Sequence, residues 1–357
     1  MLGIYQGFKG IANKAAKAAF WLRNSRICGN LRQEKNLNKR SIAMILRGID
    51  FGDVWGASGV QGFFGEGYWF HKLPFLWPDF TGMTFVSKTA TLFPRKGNMS
   101  LNKYYRPKKF FPSCVKVKFF KGLMLNSVGL SNPGIDALLE EGIWQKRKEP
   151  FIISVASVED SQEKRLEELR AIVRAIKIYK KQFLAPFGLQ INLSCPNTGH
   201  APQELIGESE KVLDIAKALD VPLIPKYSIA SAPIRAIMEL NDNVFCDAIC
   251  VSNTLPFGWR GLDWKKVWGS DISSLADLGG GGLSGKELCP LVCQWIRDLK
   301  RIGFRKPING GGGIFSSDDV VRYLDAGAAS IFLGSVATLR PWKVKGIIKY
   351  ANNLQWN

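Results

Sequence analysis

The chain has 357 residues, 46% of them hydrophobic and 22% charged, so it can bury a sizeable core and is not globally disordered. Seven cysteines without CxxC spacing, and two histidines, His71 and His200, exclude a disulfide scaffold and argue against a histidine-based metal site. Forty-nine Lys and Arg against thirty Asp and Glu leave a net charge of +19, which attracts anions without choosing among nucleic acid, acidic lipid and a small anionic substrate.

That excess is concentrated. Residues 1–50 carry ten basic side chains against Glu34 and Asp50, and residues 88–121 carry ten more with no acid. In the first stretch Ile4, Phe8, Ile11, Ala15 and Leu22 share one helical face, with lysines largely off it. The pattern predicts a basic, helical N-terminal extension over 1–48. It would act as a peripheral membrane or partner-binding helix, a cap on the main domain, or a disordered arm. Its longest apolar run is too short to span a bilayer, and no cleavable signal peptide is evident.

Residues 49–357 read as one α/β domain of short apolar runs separated by longer periodic segments. Strands are predicted at 54–58, 83–89, 151–156, 189–194, 222–227, 248–252, 307–309 and 330–333. Helices are predicted at 134–145, 160–182, 207–219, 232–240, 286–302, 317–326 and 341–353. Eight short strands without polar alternation, with helical segments between them from residue 134 onward, point to a (β/α)8 barrel rather than an open sheet. No GxGxxG follows the first strand, which weighs against a dinucleotide-binding fold.

In such a barrel chemistry sits where strands end. Those ends hold Ala57-Ser58-Gly59, Ser87-Lys88-Thr89, the run Asn192 to Asn197, Lys226, Ser252-Asn253-Thr254, Gly310 to Gly313, and Gly334-Ser335. The last two glycine loops either present bare N–H groups to a phosphate-bearing cofactor or form tight structural turns. Gly279 to Gly282, followed by Leu283-Ser284-Gly285, reads as a mobile or backbone-contacting loop. Cys195 is a base or nucleophile if lysines favour its thiolate, and otherwise a small buried hydrophobe. Asn126, Asn192, Asn197 and Asn253 each offer donor and acceptor, which suits a heterocycle bearing amide groups. Lys88 and Lys226 supply charge to an anionic cofactor ring or a substrate carboxylate, or are solvated surface groups. With His200 alone nearby, a His-centred triad has little support.

Eight segments in order carry a family resemblance: GASG at 56–59, VSKTATLFPRKGN at 86–98, LNSVGLSNPG at 125–134, NLSCPN at 192–197, VSNT at 251–254, GGLSG at 281–285, GGGGI at 310–314 and FLGSV at 332–336. From about Ile49 to Ala337 the chain resembles the dihydroorotate dehydrogenases, FMN-containing (β/α)8 enzymes of pyrimidine synthesis. The resemblance implies that Cys195 is the base of a cysteine-type enzyme. It places Lys88, Asn126, Asn192, Asn197, Asn253 and Thr254 around orotate and the flavin ring. Ala57, Ser58 and Lys226, with Lys88, become flavin contacts, and Gly282, Gly312, Gly313, Gly334 and Ser335 become parts of the flavin and phosphate cradle. No metal is implied. The implied reaction oxidises (S)-dihydroorotate to orotate, with a proton to Cys195 and hydride to flavin N5.

Two segments depart from the family pattern. The stretch 1–48 is longer than the start of cysteine-type enzymes and stands where the serine type carries a membrane-associating extension. The aromatic segment 63–78 is unlike the ordinary first helix and loop. The electron acceptor is left open among fumarate, quinone, and NAD through a partner subunit; this chain has no iron–sulfur cysteine cluster. A cytoplasmic location, a homodimer and a peripheral membrane contact through 1–48 are all compatible with the sequence. Nucleic acid is not expected, because no recognised binding motif accompanies the charge. Two other readings stand beside this one: a flavin oxidoreductase acting on another dihydropyrimidine, and a non-catalytic barrel used as an interaction module.

Overall fold

The computed structural model describes residues 44–73, 77–193 and 208–356. The chain divides into Met1–Ser41 and Ile42–Asn357, and the fold described is that of the second unit. Most of the expected N-terminal extension (1–43) and the segment 194–207, which holds Cys195, Asn197 and His200, lie outside the described residues.

A two-residue-per-strand hairpin, β1 (Ile45–Leu46) and β2 (Ile49–Asp50), precedes the first parallel strand, β3 (Val54–Gly56). Next come β4 (Val115–Lys118) and β5 (Leu123–Asn126), then the parallel strands β6 (Phe151–Val155), β7 (Phe187–Asn192), β8 (Leu223–Tyr227) and β9 (Ile249–Val251). The short β10 (Leu255–Pro256) and β11 (Gly282–Gly285) lead to β12 (Ile308–Gly311) and β13 (Ser330–Leu333). A seven-stranded sheet runs in the order β3-β13-β12-β9-β8-β7-β6, every pairing parallel. It curls so far that residues 84–90 bridge both of its edges, Thr84 to Trp55 on β3, and Val86 and Ala90 to Ile152 and Val155 on β6.

That eighth segment is the one place where an expected strand, 83–89, is present only as isolated bridges. Its Ser87 carbonyl accepts from the Ser58 hydroxyl at 3.0 Å, and its Ser87 hydroxyl accepts from the Ser154 amide at 2.9 Å, so side chains replace part of the ladder. The other seven expected strands appear within three residues of their predicted bounds.

Alternation along the strands sorts the core. Trp55, Ile152, Ile224, Cys250 and Phe332 pack with Met44, Leu46 and Phe51 in one buried cluster, inside the curl. Their strand neighbours Val54, Ile153, Leu223, Ile249 and Ile331 join the larger cluster beneath the helices. Phe51 closes the floor because β7 has Gly188 there: a Cβ on Gly188 would lie 3.3 Å from the Phe51 ring. The helices are capped as their sequences suggest, Ser161 accepting from the Lys164 amide for Gln162–Tyr179 and Ser316 from the Asp319 amide for Ser317–Asp325.

A second, antiparallel sheet in the order β10-β11-β5-β4 was not foreseen. The glycine run 279–282 feeds β11, and Gly281, at φ +79, passes so close to Asn126 that a Cβ would lie 2.9 Å from its carbonyl oxygen. The loop is thus the backbone-contacting one of the two forms expected of it.

Candidate active site

A cavity of about 630 Å³ opens at the carboxyl ends of the parallel strands, within the usual range of small-ligand sites. Six of the seven parallel strands, all but β6, reach it with the residues at their ends. Ala57 and Ser58 follow β3, Asn192 closes β7, Lys226 lies one residue from the end of β8, and Asn253 and Thr254 follow β9. Gly312 follows β12, and Gly334 and Ser335 follow β13; all of these line the cavity. Asn126, from the antiparallel sheet, lines it too, held by a 3.4 Å bond from Nδ2 to the Gly282 carbonyl. Among the described residues the lining includes Lys88, Lys109 and Lys226 and no carboxylate, so an anion is the ligand that its charge favours.

The polar groups hold one another in place. Asn253 Nδ2 donates to Asn192 Oδ1 at 3.0 Å, and Asn253 Oδ1 accepts from the Thr254 amide at 2.9 Å. The Asn253 amide itself donates to the Tyr227 carbonyl at 2.8 Å. Lys226 is only 6% exposed, and its Nζ lies 5.5 Å from the Phe332 ring centroid. Lys88 donates to the Ser131 carbonyl and sits 4.7 Å over the Phe63 ring. Ser58 Oγ lies 2.8 Å from Thr89 Oγ1, which in turn is 3.0 Å from Ser154 Oγ, a hydroxyl chain running from the cavity wall into the core.

Bare backbone lines the cavity where the glycines stand. A Cβ on Gly334 would lie 3.1 Å from the Ala57 Cβ, and one on Gly312, at φ +122, would press against Leu288 at the same distance. Gly282 and Gly313 are not among the lining residues. Gly282 pairs with Asn126 across β5 and β11, and Gly313, at φ +73, packs where a Cβ would meet the Gly285 carbonyl at 2.7 Å.

Sequence reasoning missed the opposite wall. Tyr68, Trp69, Phe70, Phe110 and Trp342 line the cavity, which gives the unusual aromatic segment a place in the structure. Tyr68 donates its hydroxyl to the Gly59 carbonyl at 2.6 Å, and Trp69 Nε1 donates to the Phe110 carbonyl at 2.8 Å. Burial holds the Tyr68 phenol far above its ordinary range and lowers His71 to about 4, so the imidazole is neutral. His71 Nε2 lies 3.1 Å from the Ala337 carbonyl, fastening this segment to the short helix Ser335–Leu339 after β13. The signal was in the aromatic density itself; what it would pack against was not.

Among the described cysteines none is exposed. Burial pushes the Cys246 and Cys250 thiols up to about 12 and 11, in the second case against the charge of Lys226. These two are protonated at neutral pH.

Comparison with known proteins agrees with this arrangement. The sequence profile described as "Dihydroorotate dehydrogenase" matches residues 52–353. A dihydroorotate dehydrogenase B (NAD(+)) catalytic subunit from Anoxybacillus flavithermus is 31% identical over 234 residues, covering 63% of this chain and 68% of the relative. The protein of the same description from Endomicrobium trichonymphae is 29% identical over 267 residues, covering 74% and 77%. In fold, the chain is similar to DHODH from Eimeria tenella crystallised with ferulenol, with a TM-score of 0.59, 16% identity, and 91% and 90% of the two chains covered. With the profile spanning most of the chain, this chain belongs to the dihydroorotate dehydrogenase family, flavin oxidoreductases that act on a dihydropyrimidine.

Proposed function

We propose that the chain oxidises (S)-dihydroorotate to orotate with FMN, the curled sheet and the 84–90 segment acting together as a distorted (β/α)8 barrel. One observation carries the reading: Lys88, Asn126, Asn192, Lys226, Asn253 and Thr254 converge on one cavity with Gly312, Gly334 and Ser335. The residues present fit FMN, because the cavity is lysine-lined and its wall is bare backbone where side chains would intrude. Gly312, Gly334 and Ser335 would hold the phosphate, and Ala57, Ser58 and Lys226 the ring system. When bound, flavin supplies the hydride acceptor.

The remaining work belongs to this chain's side chains. Asn126, Asn192, Asn197 and Asn253 would bond the pyrimidine amides, and the locked Asn192–Asn253 pair fixes the orientation of two of them. Lys88 would face the substrate carboxylate, and Cys195 would take the proton from C5. Because two described thiols are held protonated by burial, neither Cys246 nor Cys250 competes for that role. The resemblance to NAD(+)-type relatives supports a partner subunit as electron acceptor. The basic stretch 1–48 would serve as a separate surface-binding extension of the catalytic domain 49–357.

Anaerobic mixing of the flavin-loaded protein with dihydroorotate and, separately, dihydrouracil tests the substrate. Rapid bleaching by dihydroorotate is expected; bleaching by dihydrouracil alone would overturn the reading. Steady-state turnover with fumarate, NAD and a soluble quinone then identifies the acceptor, with no NAD reduction expected from this chain by itself.

A further inference from the structure

The rim of the cavity carries a surface that catalysis does not use. Two short motifs, Lys108-Lys109-Phe110-Phe111-Pro112 and Lys118-Phe119-Phe120-Lys121-Gly122, each place paired phenylalanines beside lysines. The structure exposes them. Phe111 is 83% and Phe120 95% exposed, and Phe110 follows at 69%. Elsewhere, exposed aliphatics such as Ile178, Val244 and Ile272 are well separated in sequence, the scatter ordinary to protein surfaces.

The second motif is the tip of the β4–β5 hairpin, so its phenylalanines are presented on a rigid turn. The Gly122 amide donates to the Phe119 carbonyl at 3.0 Å, with Gly122 at φ +68. Arg340 stacks its guanidinium 4.1 Å from the Phe119 ring centroid and donates to the Phe119 carbonyl at 2.8 Å. Trp342, half exposed, lies 6.4 Å from the same ring. On the other side Trp69 packs edge-on against Phe110 and Phe111, with centroids 5.1 and 5.5 Å away. Phe110, Phe111 and Phe119 also line the cavity, so the two tips belong to one rim.

Charge selects the occupant. Lys103, Lys108, Lys109, Lys116 and Lys121 are exposed around these tips, and the whole run 88–121 contains no acid. Apolar tips set within a ring of lysines match the two layers of a lipid surface, hydrocarbon beneath anionic headgroups. We infer that this rim docks on an anionic phospholipid bilayer, with Phe111 and Phe120 inserted and the mouth of the cavity facing the membrane. The surface is distinct from residues 1–48 and does not depend on which dihydropyrimidine the site takes.

The test uses the full chain, so that residues 1–43 are common to every sample. Vesicles of phosphatidylcholine with and without phosphatidylglycerol are sedimented at low salt with the parent, with Phe120→Ser, with Phe120→Ser/Lys121→Glu, and with Lys177→Glu as a control exposed lysine outside this rim. Neither Phe120 nor Lys121 lines the cavity, so flavin content and reduction by substrate in solution should be unchanged. The parent should bind the phosphatidylglycerol vesicles well above the neutral ones. The double variant should bind them about tenfold less, and Phe120→Ser alone should also bind less, while Lys177→Glu keeps parental binding. Equal binding by parent and double variant, unchanged binding by Phe120→Ser, or no binding by the parent would each overturn the inference. Retention of the parent by an acidic protein without vesicle binding would assign the rim to a protein partner instead.

Discussion

Lys226 and His71 show how one side chain's surroundings set its task. Lys226 is buried at the end of β8 beside the Asn192–Asn253 pair, where its charge faces the cavity rather than water. Lys226→Met should therefore weaken FMN retention, measured as the fraction of flavin remaining after dialysis, without unfolding the protein. His71 serves structure. Its folded pKa of about 4 lies below the ordinary 6.5, so the unfolded chain binds more protons between those values. Its contribution to stability is complete above pH 6.5 and is lost as pH falls toward 4, up to about 3 kcal/mol for a group this buried. Urea midpoints across that window should fall less steeply in His71→Gln than in the parent. Cys195→Ser, at the proposed base, should slow flavin reduction about 10² to 10⁴-fold. Stopped-flow traces should show the loss shrinking at high pH with flavin content intact; an unchanged rate at all pH values would make the thiol structural.

At the scale of elements, the helix Ser209–Ala216 is tied to Gln162–Tyr179 by an ion pair that solvent does not reach. Arg165 Nη2 lies 2.5 Å from Glu208 Oε1, with the side chains 4% and 2% exposed. Arg165 Nε donates to both carboxylate oxygens at 3.0 and 3.2 Å, and Nη1 donates to the Asp160 carbonyl at 2.8 Å. Removing one partner strands the other charge. Glu208→Leu should destabilise the fold by about 3–5 kcal/mol, whereas Arg165→Met/Glu208→Leu should recover most of it. Denaturant titrations of the single and double variants separate the two outcomes. The loop after β12 is constrained more tightly still, since Gly313→Ala would combine a positive φ with a Cβ 2.7 Å from the Gly285 carbonyl.

For the whole molecule, the cavity is a ligand-sized volume built into a sheet that is otherwise packed from both faces. A ligand that binds only the folded chain adds stability by mass action, about 2.7 kcal/mol at roughly 100 times its Kd. Calorimetry of flavin-stripped protein should show the midpoint rising with added FMN, and rising less in Lys226→Met. A midpoint insensitive to FMN would count against the proposed cofactor.

Local pattern was enough to find most of the frame. The expected strand 330–333 matches β13 residue for residue, and the expected helices at 160–182 and 317–326 lie over Gln162–Tyr179 and Ser317–Asp325. These segments are decided by periodicity and caps, which operate over a few residues and are written in order along the chain. Lys226, Asn253 and Gly334 could be placed at one mouth for the same reason, because parallel strands carry their last residues to one end. Only the tertiary structure decided the rest. Asn126 reaches the cavity through pairing with β11, its Nδ2 bonding a carbonyl 156 positions away, and short strands carry no local sign of such a partner. The aromatic segment was conspicuous in sequence, yet whether it formed core, surface or wall depended on Phe110 and Ala337, which the fold alone brings to it. Composition fixed what these residues prefer to touch, and long-range packing fixed what they do touch.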